Sequence, residues 1–175
     1  MNTANKLTMF RVVLIPVFII IIYAGFTGFE YAALAVFIIA CLTDFADGFI
    51  ARKYDQTTDF GKFMDPVADK VLTVAALSVF VEWGKMPAWA LLIVVTREFA
   101  VTALRLVAAD SGRVIAAGKS GKVKTAATMV CICVMFFRIP EFADIVCIVI
   151  ILAATVYSGI EYFIKNRDCI SLVRK

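Results

Sequence analysis

The chain has 175 residues, of which 62% are hydrophobic and only 18% charged, with a formal charge of +4 and a mean hydropathy of +0.91. That balance lies outside the range of water-soluble globules and fits a chain embedded in a bilayer, with no room for a separate soluble domain beside the spans. Histidine is absent, which excludes a Ser-His-Asp triad, an H-E-x-x-H zinc site and any imidazole base, and leaves carboxylates, amines, guanidiniums, hydroxyls or bound metal to carry chemistry.

Apolar stretches fall at 9–27, 31–50, 67–83, 87–109, 123–138 and 142–164. They predict six membrane-spanning helices in one all-α bundle, a single domain over 1–175. Breakers separate them: Gly25 and Gly28, Gly84 and Pro87, Gly112 and Gly118, then Pro140. The first stretch follows Lys6 and Arg11, as a secretory signal would, but no small-residue cleavage site follows it, so it reads as a retained helix. Six spans put both termini on one side. Lys6, Arg11, Arg52, Lys53, Lys62, Arg113, Lys119, Lys122, Lys124, Lys165, Arg167, Arg174 and Lys175 collect there, against Lys85 and Arg138 opposite. The positive-inside rule makes that side, with the 52–66 and 110–122 connections, cytoplasmic, and its basic loops suit anionic headgroups. Cys41, Cys131, Cys133, Cys147 and Cys169 form no C-x-x-C pair and read as buried free thiols. No repeat or nucleic-acid-binding motif is present.

Carboxylates cluster where the second helix passes into the third. At about 100° per residue, Asp47, Gly48 and Ala51 lie within about 60° of Asp44 on one helical face, while Asp65 and Asp69, four apart, stack on the next helix. Four carboxylates near hydrocarbon repel one another and are costly to desolvate, by about a few kcal/mol each. A pair of Mg²⁺ or Mn²⁺ ions, hard cations with oxygen ligands, would neutralise them and could grip a pyrophosphate, with Gly48 and Ala51 leaving space for it. The plainer alternative pairs these aspartates with Arg52, Lys53, Lys62 and Lys70 or makes them helix caps. Asp65 directly precedes Pro66, as an N-cap does, and Asp55 and Asp59 read as loop residues that are solvated or cap a helix.

Three further polar groups border or interrupt helices: Asn5, Thr8 and Arg11; Arg97, Glu98, Thr102 and Arg105; and Lys119, Ser120, Lys122, Lys124 and Thr125. An arginine near mid-span, as Arg97 is, faces a protein interior or a wet cavity. With Arg105, Lys122 and Lys124 it could hold a phosphate. The alternatives are an internal ion pair through Glu98 and ordinary topology charge for the lysines. Gly118-Lys119-Ser120 is not a P-loop, because the glycine required at 113 is Arg113.

The string D44-x-x-D47-G48-x-x-A51-R52, followed by G61-x-x-x-D65-x-x-x-D69, resembles the complete motif of the CDP-alcohol phosphotransferases. The resemblance implies a six-helix membrane enzyme, usually a homodimer, that uses two divalent ions to move a phosphatidyl or similar group from a CDP-linked donor to an alcohol, releasing CMP. Carried over, Asp44, Asp47, Asp65 and Asp69 are the expected metal ligands, with Asp69 also the expected base. Gly48, Ala51, Arg52 and Gly61 are expected to line the cytidine and pyrophosphate site. The strings N5-x-L-T8-x-x-R11, R97-E98-F99 and G121-K122-x-K124-T125 are similar to the branch that makes phosphatidylglycerophosphate. That implies CDP-diacylglycerol and sn-glycerol 3-phosphate as substrates, with Arg97, Arg105, Lys122, Lys124 and Thr125 around the acceptor phosphate and Asn5, Thr8 and Arg11 as further candidates. Rival readings are another acceptor (phosphatidylglycerol, inositol phosphate or serine) and a divalent-cation transporter.

Overall fold

A computed structural model describes residues 3–54, 59–110, 118–137 and 140–167, with side chains except those of 3–6, 8, 45–54, 59–66 and 110. The described residues form six helices and no strand: α1 Thr3–Ala24, α2 Phe29–Tyr54, α3 Asp59–Glu82, α4 Ala88–Asp110, α5 Lys119–Met135 and α6 Glu141–Lys165. The number of helices matches the sequence reading. Their bounds differ most between the second and third, where the expected 52–66 connection is largely helical. Asp65 and Pro66 therefore lie within α3, and the N-cap reading of Asp65 is corrected. Proline inside a helix forfeits one backbone hydrogen bond, a loss tolerated where neighbouring groups satisfy the freed carbonyl; Pro16 sits inside α1 in the same way.

Two compact units emerge. The first comprises Met1–Val79 with Phe136–Arg138, the second Phe80–Met135 with Ile139–Lys175. In the first, α1 packs along α2. Ala33 and Ala40 on α2 are fully buried, and residues this small let two helices approach closely without a large side chain between them. Phe18, Phe37 and Phe136 fill the space that remains, with centroids 6.0–6.5 Å apart and the Phe18–Phe136 pair edge-on. Gly25 and Gly28, both at positive φ, turn the chain from α1 into α2.

In the second unit, α6 packs against both α5 and α4. Gly84, at φ 71°, ends α3: the amides of Lys85 and Met86 donate to the Phe80 carbonyl. Lys85 then donates from Nζ to the Met135 carbonyl at 2.5 Å, fixing this turn to the end of α5. Val101, Leu104, Ala108 and Tyr162 form a buried cluster between α4 and α6.

Around an apolar core, charged and polar side chains are also buried and large apolar ones exposed. Arg11, Lys124, Thr128, Asp144, Thr155 and Ser158 are buried, while Ile20, Leu42, Val71, Phe99, Val130 and Phe142, one on each helix in chain order, are exposed. Glu141–Lys165 is long and apolar enough to cross a membrane, and Met9–Ala24 is a shorter apolar helix. Thr43, Thr73, Thr102 and Thr125 each donate their hydroxyl to the carbonyl four residues earlier in their own helix. Cys41, Cys131, Cys133 and Cys147 are free thiols; Cys131 and Cys147 are buried, as the sequence suggests, whereas Cys41 and Cys133 are only partly so, and Cys169 lies outside the described residues.

Phe18→Ala removes a fully buried ring at the centre of the aromatic cluster. It should destabilise the fold by about 3 kcal/mol, seen as a lower melting midpoint of the purified protein in detergent.

Candidate functional site

The acidic face begins on α2. Because that helix runs unbroken from Phe29 to Tyr54, Asp44 and Asp47 sit one turn apart on continuous helix, with Gly48 and Ala51 following on the same side. On α3, Gly61, Asp65 and Asp69 are spaced at successive turns. The side chains of Asp47, Gly48, Ala51, Arg52, Gly61 and Asp65 lie outside the described residues, as do those of Asn5 and Thr8. Asp44 and Asp69 are described, and both are partly buried. Among the described residues, no three acidic, cysteine or histidine side chains are grouped so that they could hold a metal ion.

Asp44 has a basic neighbour. Arg11 of α1, with 1% of its side chain exposed, places Nη1 2.7 Å from Asp44 Oδ1, whereas the Asp44 side chain remains 37% exposed. Burying a guanidinium in an apolar interior is tolerable only beside an anion, and this contact ties α1 to the start of the acidic motif. Among the three N-terminal candidates, Arg11 thus reaches an aspartate. A carboxylate has two oxygens and about four lone pairs, so one can serve a guanidinium and a cation together. A carboxylate oxygen such as that of Asp44, partly open to its surroundings, is the donor type that hard divalent ions prefer.

The second unit gathers the cations. Glu98 of α4 accepts from Arg97 Nη1 at 2.8 Å and from Lys124 Nζ of α5 at 2.7 Å, both on Oε1. The ion-pair reading of Glu98 is therefore correct, and the carboxylate binds two cations. Seven residues along α4, Arg105 donates from Nε to the Tyr162 hydroxyl at 3.0 Å, and its guanidinium carbon lies 5.4 Å from the centre of that ring. Lys122 is exposed, and Thr125 bonds back to the Gly121 carbonyl at 3.1 Å. A groove of about 600 Å³ between α4 and α6 is lined by Leu92, Ile93, Arg97, Thr155, Gly159 and Phe163, among others.

Two residues here escaped the sequence reading. A Cβ on Gly159 would stand 3.2 Å from Arg97 Cγ, so α6 needs a bare backbone where that arginine passes. Tyr162 orients Arg105 from 57 positions away. Spacing within one helix gives no signal for either, because both depend on which helices are neighbours.

The sequence over 1–159 matches the family model described as CDP-alcohol phosphatidyltransferase. The chain belongs to this family. A Bacillus subtilis relative, 42% identical over 97% of this chain and 97% of its own length, is named CDP-diacylglycerol--glycerol-3-phosphate 3-phosphatidyltransferase. A Haemophilus influenzae relative of the same name is 40% identical over 92% of this chain and 91% of its own. One from Mycobacterium tuberculosis, named probable phosphatidylglycerophosphate synthase, is 38% identical over 99% of this chain and 86% of its own. The chain is thus a transferase of the CDP-alcohol type, a family that works with divalent metal ions.

Arg11→Ala would leave the Asp44 carboxylate beside a small apolar side chain in place of its cation. Because Asp44 is partly open to its surroundings, the expected cost is about 1–2 kcal/mol, below that of breaking a fully buried pair. A thermal melt in detergent measures it, and Arg11→Lys should recover part of the loss.

Proposed function

We propose that the chain, as one catalytic domain over 1–175, transfers the phosphatidyl group of CDP-diacylglycerol to sn-glycerol 3-phosphate, giving phosphatidylglycerophosphate and CMP. The observation that carries this reading is that relatives about 40% identical over nearly the whole chain bear that enzyme name. The pairing of Arg97 and Lys124 on one carboxylate oxygen supports a phosphate-bearing acceptor, since serine or a neutral polyol would not call for cations held together in an apolar interior.

In this reading Asp44, Asp47, Asp65 and Asp69 hold two divalent ions, Mg²⁺ or Mn²⁺, which when bound neutralise the pyrophosphate of the donor. Gly48, Ala51 and Gly61 leave room for the cytidine and pyrophosphate to approach the backbone, and Arg52 adds a cation beside them. Arg97, Arg105, Lys122 and Lys124, with the hydroxyl of Thr125, receive the acceptor phosphate. Asn5 and Thr8 border the site, and Arg11 supports Asp44. Asp69 takes the proton from the acceptor hydroxyl as its oxygen forms a bond to the phosphorus bearing the diacylglycerol. The bond from that phosphorus to the oxygen of CMP breaks, and CMP leaves with the electron pair.

Six spans with both termini in the cytoplasm complete this reading; the charge distribution and the exposed apolar side chains on all six helices support it. The site then opens to the cytoplasm while the donor's acyl chains stay in the bilayer. Two chains pair as a homodimer, and surrounding membrane lipids complete the environment; nucleic acid is not a partner.

Purified protein supplied with CDP-diacylglycerol and, in turn, sn-glycerol 3-phosphate, phosphatidylglycerol, inositol phosphate and serine should form a lipid product with the first alone. Product from another alcohol would replace the acceptor assignment. Asp44→Asn and Asp69→Asn should each lower the rate of CMP release at least about 100-fold, whereas a normal rate would remove that residue from the chemistry. A chelator should abolish CMP release and added Mg²⁺ or Mn²⁺ restore it; metal flux through reconstituted protein without CMP formation would favour a transporter instead.

A further inference from the structure

The ion pair on α4 has one cation too many. A single carboxylate suffices to neutralise one buried cation, yet Glu98 Oε1 accepts from both Arg97 and Lys124. Their nitrogens are consequently held within about 5.5 Å, the sum of the two contacts. Left alone, two like charges this close in a poorly solvated interior would separate or shed a proton. The group keeps a net positive charge and spare donors: Arg97 Nε is buried and makes no hydrogen bond, and the Lys124 ammonium has given one of its three protons. One turn along α5, the Thr128 hydroxyl is also buried with no partner. A purely structural pair would be balanced one to one; an arriving dianion would take up the excess positive charge and the spare Arg97 and Lys124 donors.

We propose that Glu98 is a positioning residue for the acceptor, holding Arg97 and Lys124 side by side as a ready-made pair for a phosphate dianion. This rests on the reading that the acceptor carries phosphate. In this proposal Glu98 touches neither the reacting hydroxyl nor the donor; it keeps two cations close enough for one phosphate to accept from both, so that the acceptor's phosphate finds them already arranged. Gly159 contributes by leaving room for the Arg97 side chain, since a Cβ there would stand 3.2 Å from Arg97 Cγ. The preference for a phosphorylated over a neutral alcohol then depends on a carboxylate, a residue that simple charge matching would place away from an anion site.

The test uses the full-length protein in detergent micelles with CDP-diacylglycerol, varying each substrate against saturating levels of the other. Glu98→Gln should raise KM for sn-glycerol 3-phosphate at least tenfold, leaving KM for CDP-diacylglycerol within about twofold and kcat within about threefold. Glu98→Asp keeps the charge on a shorter stem and should fall between Gln and wild type; it also decides the matter if the Gln variant does not fold. A merely structural role would reduce the folded fraction, and hence the apparent kcat, without moving KM. An unchanged KM for glycerol phosphate in either folded variant overturns the proposal. Wild-type protein that forms no product with glycerol phosphate would instead overturn the acceptor reading and the role of Glu98 with it.

Discussion

A charge placed on an apolar helix has to meet its opposite on a neighbouring side chain, because hydrocarbon offers no solvent to neutralise it. Two such meetings organise what is described of this molecule. Arg11 reaches Asp44 and fixes α1 against the acidic stretch of α2. Glu98 draws in Arg97 and Lys124, and so links α4 to α5. Each contact fixes the rotation of a helix about its axis, since turning either one would bury a charge without its partner. The apolar side chains then follow by default: those not needed between helices point outward.

Function on this scaffold is economical. A phosphatidyltransferase needs a patch of polar side chains in an otherwise apolar body, and helices supply it by concentrating polar residues at three- and four-residue spacing. The aspartates use that spacing on α2 and α3, and Glu98, Thr102 and Arg105 use it on α4. With no histidine available, the proposed proton transfer would fall to a carboxylate, the same residue type proposed to hold the metal ions.

Much of this was legible in the sequence. The six helices followed from apolar runs and the glycines and prolines between them, and the family followed from the motif spanning residues 44–69. The boundary between α2 and α3 did not. Polar and acidic residues from Arg52 onward read as a loop because hydropathy drops there, whereas a helix emerging from a bilayer can continue while its composition changes; α3 is already helical at Asp59. Partners across helices were equally hidden. Glu98 could be seen to need a cation, and its neighbour Arg97 offered one, but nothing local in the sequence names Lys124, 26 positions later, as the second. Arg11 as the partner of Asp44, and Tyr162 as the support of Arg105, are invisible for the same reason: the pairing is set by helix adjacency.

The threonines that return their hydroxyls to their own helices bear on how such a bundle can open. Thr73 caps the carbonyl of Asp69, Thr102 that of Glu98, and Thr125 that of Gly121. A hydroxyl satisfied within its own turn asks nothing of the helix beside it. Other polar links do cross between elements of the second unit, among them Glu98 to Lys124, Arg105 to Tyr162 and Lys85 to the Met135 carbonyl, and parting those elements means replacing these bonds.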